Sequence, residues 1–189
     1  EIFDKLFKQA LLAEKDGGGI VAYNYFSGEH VTGFEEGRPL LVRETNAKFN
    51  LANFMRVQLY TALGALKTGL DILFKEEKVD SIFGHGGYFT IKGVGQKILA
   101  GAINTPVSVM ETAGEGGAWG IAILASYMVN KKDGQSLQDY LSKEVFANQN
   151  GEVVDPDPED VKGFDEFIEK YTKCLAIERA AVDNLKNTR

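Results

Sequence analysis

The chain has 189 residues, 44% of them hydrophobic and 25% charged, with a formal net charge of −6. That length holds one sizeable domain, or at most two small ones. The acidic balance disfavours non-specific nucleic-acid binding, which needs a basic surface, and no apolar run approaches the roughly 20 residues of a membrane span.

A lone cysteine, Cys174, cannot form an internal disulfide and fits a reducing cytoplasm. The two histidines, His30 and His85, lie far apart, and no Cys/His cluster has metal-ligand spacing. The chain opens on Glu1 and a charged amphipathic segment rather than a signal peptide. A start without methionine reads either as a trimmed or disordered terminus or, more sharply, as a fragment of something longer.

Residues 2–12 place Ile2, Phe3, Leu6, Phe7, Ala10 and Leu11 on one face of a short helix. Asp16-Gly17-Gly18-Gly19 stops it, and the β-branched and aromatic run Ile20–Phe26 reads as a strand. After the turn at Ser27-Gly28-Glu29, residues 31–49 read as loop with a short strand at Leu40–Arg43. Asn50 is a plausible N-cap for the longest helix, which carries leucines at a 3–4 spacing as far as Leu73. Arg56 interrupts its apolar face and reads as a solvated or ion-paired side chain.

Two strand–glycine-turn–helix units follow. Val79–Phe83 runs into Gly84-His85-Gly86-Gly87 and then a helical pattern. Pro106–Met110 runs into Gly114-Glu115-Gly116-Gly117 and a second helix. In that helix Ala118, Ile121, Ala122, Ala125 and Met128 form a stripe suited to packing on a sheet. A short amphipathic helix at Leu137–Phe146, a polar loop at 148–160 and a last helix at about 161–186 complete the chain. Strands alternating with longer helices argue for a layered α/β domain.

Glycines at a strand end let a phosphate or an adenosine lie against bare backbone amides, and a following helix dipole favours an anion. The same glycines also serve tight turns and close helix–sheet packing, and spacing alone does not separate the two uses. The first turn matches neither the dinucleotide pattern, where Phe89 stands in place of the third glycine, nor the P-loop pattern. His85 reads as a turn residue bonded to backbone, Glu115 as an acidic residue at a helix N-terminus, and Trp119 as packing. No Gly-x-Ser-x-Gly and no readable carboxylate pair is present.

Taken together these residues resemble the C-terminal half of the FGGY family of carbohydrate kinases, in its xylulokinase-like branch. The family's ATP-binding stretch is matched by Gly86-Gly87, Gln96, Ala100 and Pro106-Val107, and its Glu-x-x-Ala-x-Gly-x-Ala by Glu115, Ala118, Gly120 and Ala122. Tyr25–His30 resembles the family's Tyr-Leu-x-Gly-Glu-Arg, Arg56 its Arg-Ala helix, and the Tyr171 region its closing helix. Departures from the pattern are Tyr88 for the third glycine, Gly101 for an aspartate and Tyr60-Thr61 for a Glu-Gly pair.

The resemblance implies an actin-like, ribonuclease-H-like ATPase domain, a mixed sheet flanked by helices. It would span residues 1–189 as the single nucleotide-binding half of a two-domain kinase, lacking its first hairpin. It implies ATP with Mg²⁺, and a small ketose such as xylulose held by a domain outside this chain. Ribulose, glycerol or gluconate are the alternative substrates, and a non-catalytic nucleotide-binding or protein-interaction module is the alternative function. The nucleotide-binding residues it implies are Gly84, His85, Gly86, Gly87, Tyr88, Thr90, Gln96 and Glu115, with no catalytic or metal-binding residue in this chain. A sheet short of strands has an open edge, so self-association as a homodimer is expected.

Overall fold

The computed structural model describes residues 2–75, 79–110, 116–147 and 151–185. Helix α1 (Ile2–Gln9) ends in a 3₁₀ turn at Ala10–Leu12. Strands β1 (Ile20–Tyr23) and β2 (Leu40–Arg43) pair antiparallel, with Ile20 opposite Arg43 and Tyr23 opposite Leu40. The strand expected over Ile20–Phe26 thus stops at Tyr23, and β2 falls on the residues expected. All four residues of β1 are buried.

Helix α2 (Leu51–Leu73) is capped by the Asn50 side chain, which accepts from the backbone N–H of Asn53. Its buried face carries Val57, Leu59, Tyr60 and Leu63, and Thr61 Oγ1 donates to the Ala22 carbonyl at 2.5 Å. The sequence Lys75-Glu76-Glu77-Lys78 is a polar run expected to end this helix; Lys75 lies just beyond its last turn, and 76–78 lie outside the described residues.

Strand β3 (Ile82–Gly84) pairs parallel with β4 (Val107–Val109), and helix α3 (Val94–Ile103) is the crossover between them. A third strand, β5 (Glu152–Val154), pairs antiparallel with β4. The sequence reading made this stretch a loop. Three residues at a sheet edge, two of them exposed, leave no alternation to read. The order β3-β4-β5 leaves the outer edge of β3 without a strand partner among the described residues.

Helix α4 (Gly116–Asn130) is followed by α5 (Leu137–Tyr140), which continues as a π turn at Leu141–Val145. The closing helix α6 (Pro158–Asn184) starts with proline in its first turn and is capped by Asp157. Phe164, Phe167 and Tyr171 on α6 are fully buried, and Tyr60 of α2 meets Phe164 edge-on at 4.9 Å. The core therefore lies between α2, α3, α6 and β1.

One expectation fails here. Ala118, Ile121, Ala122, Ala125 and Met128 of α4 are all exposed, and no residue of α4 is buried. Among the described residues the sheet on which this stripe was expected to pack has three strands of three residues, too few to extend beneath a helix of fifteen.

Candidate functional site

The carboxyl end of β3 opens directly into the turn Gly84–Gly87, where ligands of open α/β sheets characteristically sit. The glycines of this turn divide by what surrounds them. A Cβ on Gly84 would lie 2.6 Å from the Phe89 ring, so Gly84 admits that ring. A Cβ on Gly86 or Gly87 would meet nothing within 4 Å. Gly86 holds φ at +97°, which favours glycine, whereas Gly87 is not among the positive-φ positions. The turn is thus anchored by one glycine and presents open backbone at two others.

Thr90 Oγ1 donates to the Gly87 carbonyl and closes the turn from its far side. Tyr88 points inward. Its hydroxyl donates to the Leu59 carbonyl at 3.2 Å, its ring meets Phe89 edge-on, and burial pushes its hydroxyl pKa up. Tyr88 thereby ties the turn to α2.

Gln96 is buried two residues into α3. Its Nε2 donates to the carbonyls of Val107 at 2.7 Å and Glu152 at 2.6 Å, so this amide braces β4 and β5 behind the turn. His85 is exposed and stacks on Trp119 of α4, with ring centroids 6.2 Å apart and an interplanar angle of 27°. A Cβ on Gly116 would lie 2.7 Å from His85 Cβ, so the start of α4 closes directly on the first turn.

The structure therefore brings Gly84, His85, Gly86, Gly87, Tyr88 and Thr90 into one turn. It puts Gln96 behind that turn, and Glu115 lies outside the described residues. The sequence reading treated Trp119 as packing. The ring does pack, but against His85 of the candidate site. Gly117 is a further residue that spacing pointed to, with nothing within 4 Å of its Cβ position. Phe83, His85, Leu137, Leu141 and Phe146 line an apolar cavity of about 700 Å³ beside the turn.

The deepest charges lie elsewhere. Asp160 of α6 accepts from Arg56 Nη2 at 2.5 Å and from Lys15 Nζ at 2.6 Å, and Lys97 Nζ stands 3.7 Å from its second oxygen. Arg56 also donates to the Tyr60 hydroxyl at 2.8 Å and the Ala10 carbonyl at 3.2 Å. Burial alone would raise the Asp160 pKa, but the hydrogen bonds and charges of Lys15 and Arg56 outweigh it and hold it below the usual carboxylate value. A Cβ on Gly101 would lie 2.8 Å from Asp160 Cβ, so glycine there lets α3 and α6 close over the pair. This network fastens α3 to α2 and α6 and is committed to structure.

Among the described residues no group of three or more His, Cys, Asp or Glu could hold a metal ion, and no helix is long and apolar enough to cross a membrane.

An α/β domain with a glycine turn at the carboxyl end of a parallel strand has structural counterparts. The chain belongs to the FGGY family of carbohydrate kinases: the model of that family's C-terminal domain matches residues 2–129. No curated protein matches the sequence significantly. The ligand-bound xylulose kinase from Lactobacillus acidophilus is similar at 17% identity and a TM-score of 0.76, over 96% of this chain and 36% of that one. The gluconate kinase from Lactobacillus acidophilus is similar at 16% identity and a TM-score of 0.72, over 96% and 35%. The Plasmodium falciparum glycerol kinase with ADP is similar at 20% identity and a TM-score of 0.63, over 94% and 34%. The fold is that of the actin-like ATPase domain of these kinases, and the chain spans about a third of their length.

Proposed function

We propose that this chain is the nucleotide-binding domain of an ATP-dependent sugar kinase. The adenosine side of ATP would lie against Gly84–Gly87, with Thr90 bracing the turn and the backbone amides of Gly86 and Gly87 facing the ligand. Glu115 would stand at the second turn, and Tyr88 and Gln96 would support the site from behind. The observation that carries this reading is the open backbone at Gly86 and Gly87, at the carboxyl end of β3.

In the whole enzyme MgATP would donate its γ-phosphoryl group to a sugar hydroxyl. The bond from phosphorus to ADP breaks as the bond to the hydroxyl oxygen forms, and the hydroxyl proton passes to a base outside these residues. Such transfer depends mainly on positioning and on stabilising charge. The chain fits the nucleotide through bare backbone, and Mg²⁺ would arrive on the phosphates. We take xylulose as the sugar, after the xylulose kinase above. Gluconate and glycerol, the substrates of the other two kinases, and ribulose are the alternatives. The lone cysteine and the ATP donor fit a cytoplasmic enzyme, and these residues alone should transfer no phosphoryl group.

Titration calorimetry with MgATP tests the site through Gly87→Val. The Gly87 backbone lies outside the left-handed region and its Cβ direction is open, so the fold accepts valine while the ligand loses its approach. Nucleotide affinity should fall at least about tenfold, equivalent to about 1.4 kcal/mol. Unchanged affinity in the folded variant removes the assignment.

A further inference from the structure

The apolar cavity beside the glycine turn has a wall that the nucleotide reading leaves unused. Its volume of about 700 Å³ lies within the roughly 300–1,000 Å³ usual for small-molecule sites. His85 belongs to both features, standing between Gly84 and Gly86 in the turn and lining the cavity. A ligand whose anionic end meets the open amides of Gly86 and Gly87 therefore has the cavity within reach of its other end.

The wall suits a flat group of low polarity. Phe83 and Phe146 lie nearly parallel, with ring centroids 6.4 Å apart and 28° between their planes. Trp119 meets Phe146 at 5.6 Å and stacks on His85, so aromatic rings run unbroken from the turn to the cavity. Leu137 and Leu141 supply the aliphatic side. A triphosphate would lose its water against such a wall without gaining a partner, so the phosphates stay at the turn and the base enters.

Polar groups on the wall are few. Among the described residues the cavity has two polar side chains besides His85, those of Gln138 and Ser142. Ser142 Oγ donates to the Asp139 carbonyl at 3.2 Å, which commits its proton to its own helical turn. The Gln138 amide carries both donor and acceptor. By turning over it meets either the amino group of adenine or the carbonyl of guanine and hypoxanthine.

We propose that this domain selects its phosphoryl donor by the shape of a purine rather than by its hydrogen-bonding edge, so that MgGTP and MgITP bind much as MgATP does. The inference rests on the nucleotide reading and names the donor class of that same site. A site that hydrogen-bonds the distinguishing group rejects the wrong ligand by about 10⁴–10⁵, whereas an apolar pocket separates near-isosteres by about 10² at most. Stacking adds no such discrimination, since every base has a π face.

Titration calorimetry of the 189-residue chain with MgATP, MgGTP, MgITP and magnesium tripolyphosphate tests the proposal. The three nucleotides should bind within about a hundredfold of one another. Each should bind at least about tenfold tighter than tripolyphosphate, which has no base to stack. Ser142→Phe puts a ring at the cavity from an exposed position, so circular dichroism should show the fold retained. It should weaken all three nucleotides by at least about tenfold and leave tripolyphosphate unchanged. Failure of MgATP to bind removes the nucleotide reading and this inference with it. With MgATP bound, three results overturn the inference alone: MgGTP or MgITP weaker by more than about a hundredfold, tripolyphosphate as tight as MgATP, or a folded Ser142→Phe with wild-type affinity for MgATP.

Discussion

Helices α3 and α4 each follow a short strand of the same sheet, and both are rich in apolar and small residues. Nine of the ten residues of α3 are buried, and none of α4 is. The difference lies in their neighbours rather than in their own sequences. Helix α3 is held between β4, α2 and α6, with Gly101 closing on Asp160 and Gln96 reaching two strands. Helix α4 touches the body at its start, where Gly116 and Trp119 meet His85, and holds α5 through the Ser126–Tyr140 hydrogen bond at 2.8 Å. Apolar character measures what a helix could bury, and the surrounding elements decide whether it does. Stability should accordingly reside in the α2–α3–α6 block, and binding at its α4 side.

The largest expected effect breaks that block. Phe167 is fully buried against Tyr60, Phe164 and Tyr171. Phe167→Ala should destabilise the fold by about 3–5 kcal/mol, read from denaturant unfolding. A loss below about 1 kcal/mol would show that the block is not where stability is held.

Next in size is the buried charge network. Asp160→Ala leaves Arg56 without its carboxylate at 1% exposure and should cost about 3 kcal/mol or more. Asp160 also carries a pH signature. Its pKa is lowered in the fold, so the unfolded chain binds the proton more readily. Its contribution is complete above the ordinary carboxylate pKa and is lost as pH falls through the lowered folded value. Wild-type stability should fall in acid more steeply than that of Asp160→Ala, and parallel pH curves would contradict the ion pair.

The sequence made much of this division legible, but unevenly. The long α2 and its Asn50 cap follow from local signals, periodicity and a capping side chain, and the β-branched start of Ile20–Phe26 marks β1 though not its end at Tyr23. The family likeness followed from the order of several short motifs. Two features were not legible. The first is the partner of Arg56. Asp160 lies 104 residues away in a polar segment, and no local spacing announces a contact between two helices so far apart. The second is the exposure of α4. Its stripe has the pattern of a sheet-packed helix, and the pattern carries no information on the width of the sheet. Within the turn, sequence also could not divide the glycines. Gly84 serves Phe89, while Gly86 and Gly87 stay open, a difference that only the neighbouring side chains decide.

A smaller effect sharpens the comparison from inside the block. Glu178 of α6 is fully buried. Its Oε1 accepts from the Arg38 backbone N–H at 2.6 Å, and its Oε2 has no hydrogen-bond partner. Burial raises its pKa against the opposing influence of Arg38 and Arg179. The folded chain therefore keeps this proton at a pH where the unfolded chain has lost it. Above the folded pKa the fold carries an ionised, half-paired carboxylate, and that burden lifts as pH falls through the folded value. Glu178→Gln keeps the acceptor for Arg38 and removes the charge. It should raise stability near neutral pH and flatten the curve just above the ordinary carboxylate range. A loss of stability at neutral pH would mean that the charge itself holds the loop carrying Arg38.

The smallest effect belongs on α4. Val129 is 82% exposed near the end of the helix. Val129→Ala, measured at a concentration where the chain is monomeric, should change unfolding free energy by no more than about 0.5 kcal/mol. Substitution also replaces a β-branched residue by the best helix former, which offsets part of any lost contact. A loss above about 1.5 kcal/mol in the monomer would mean that α4 is packed on the body after all. The contrast with α3 would then reflect degree rather than kind.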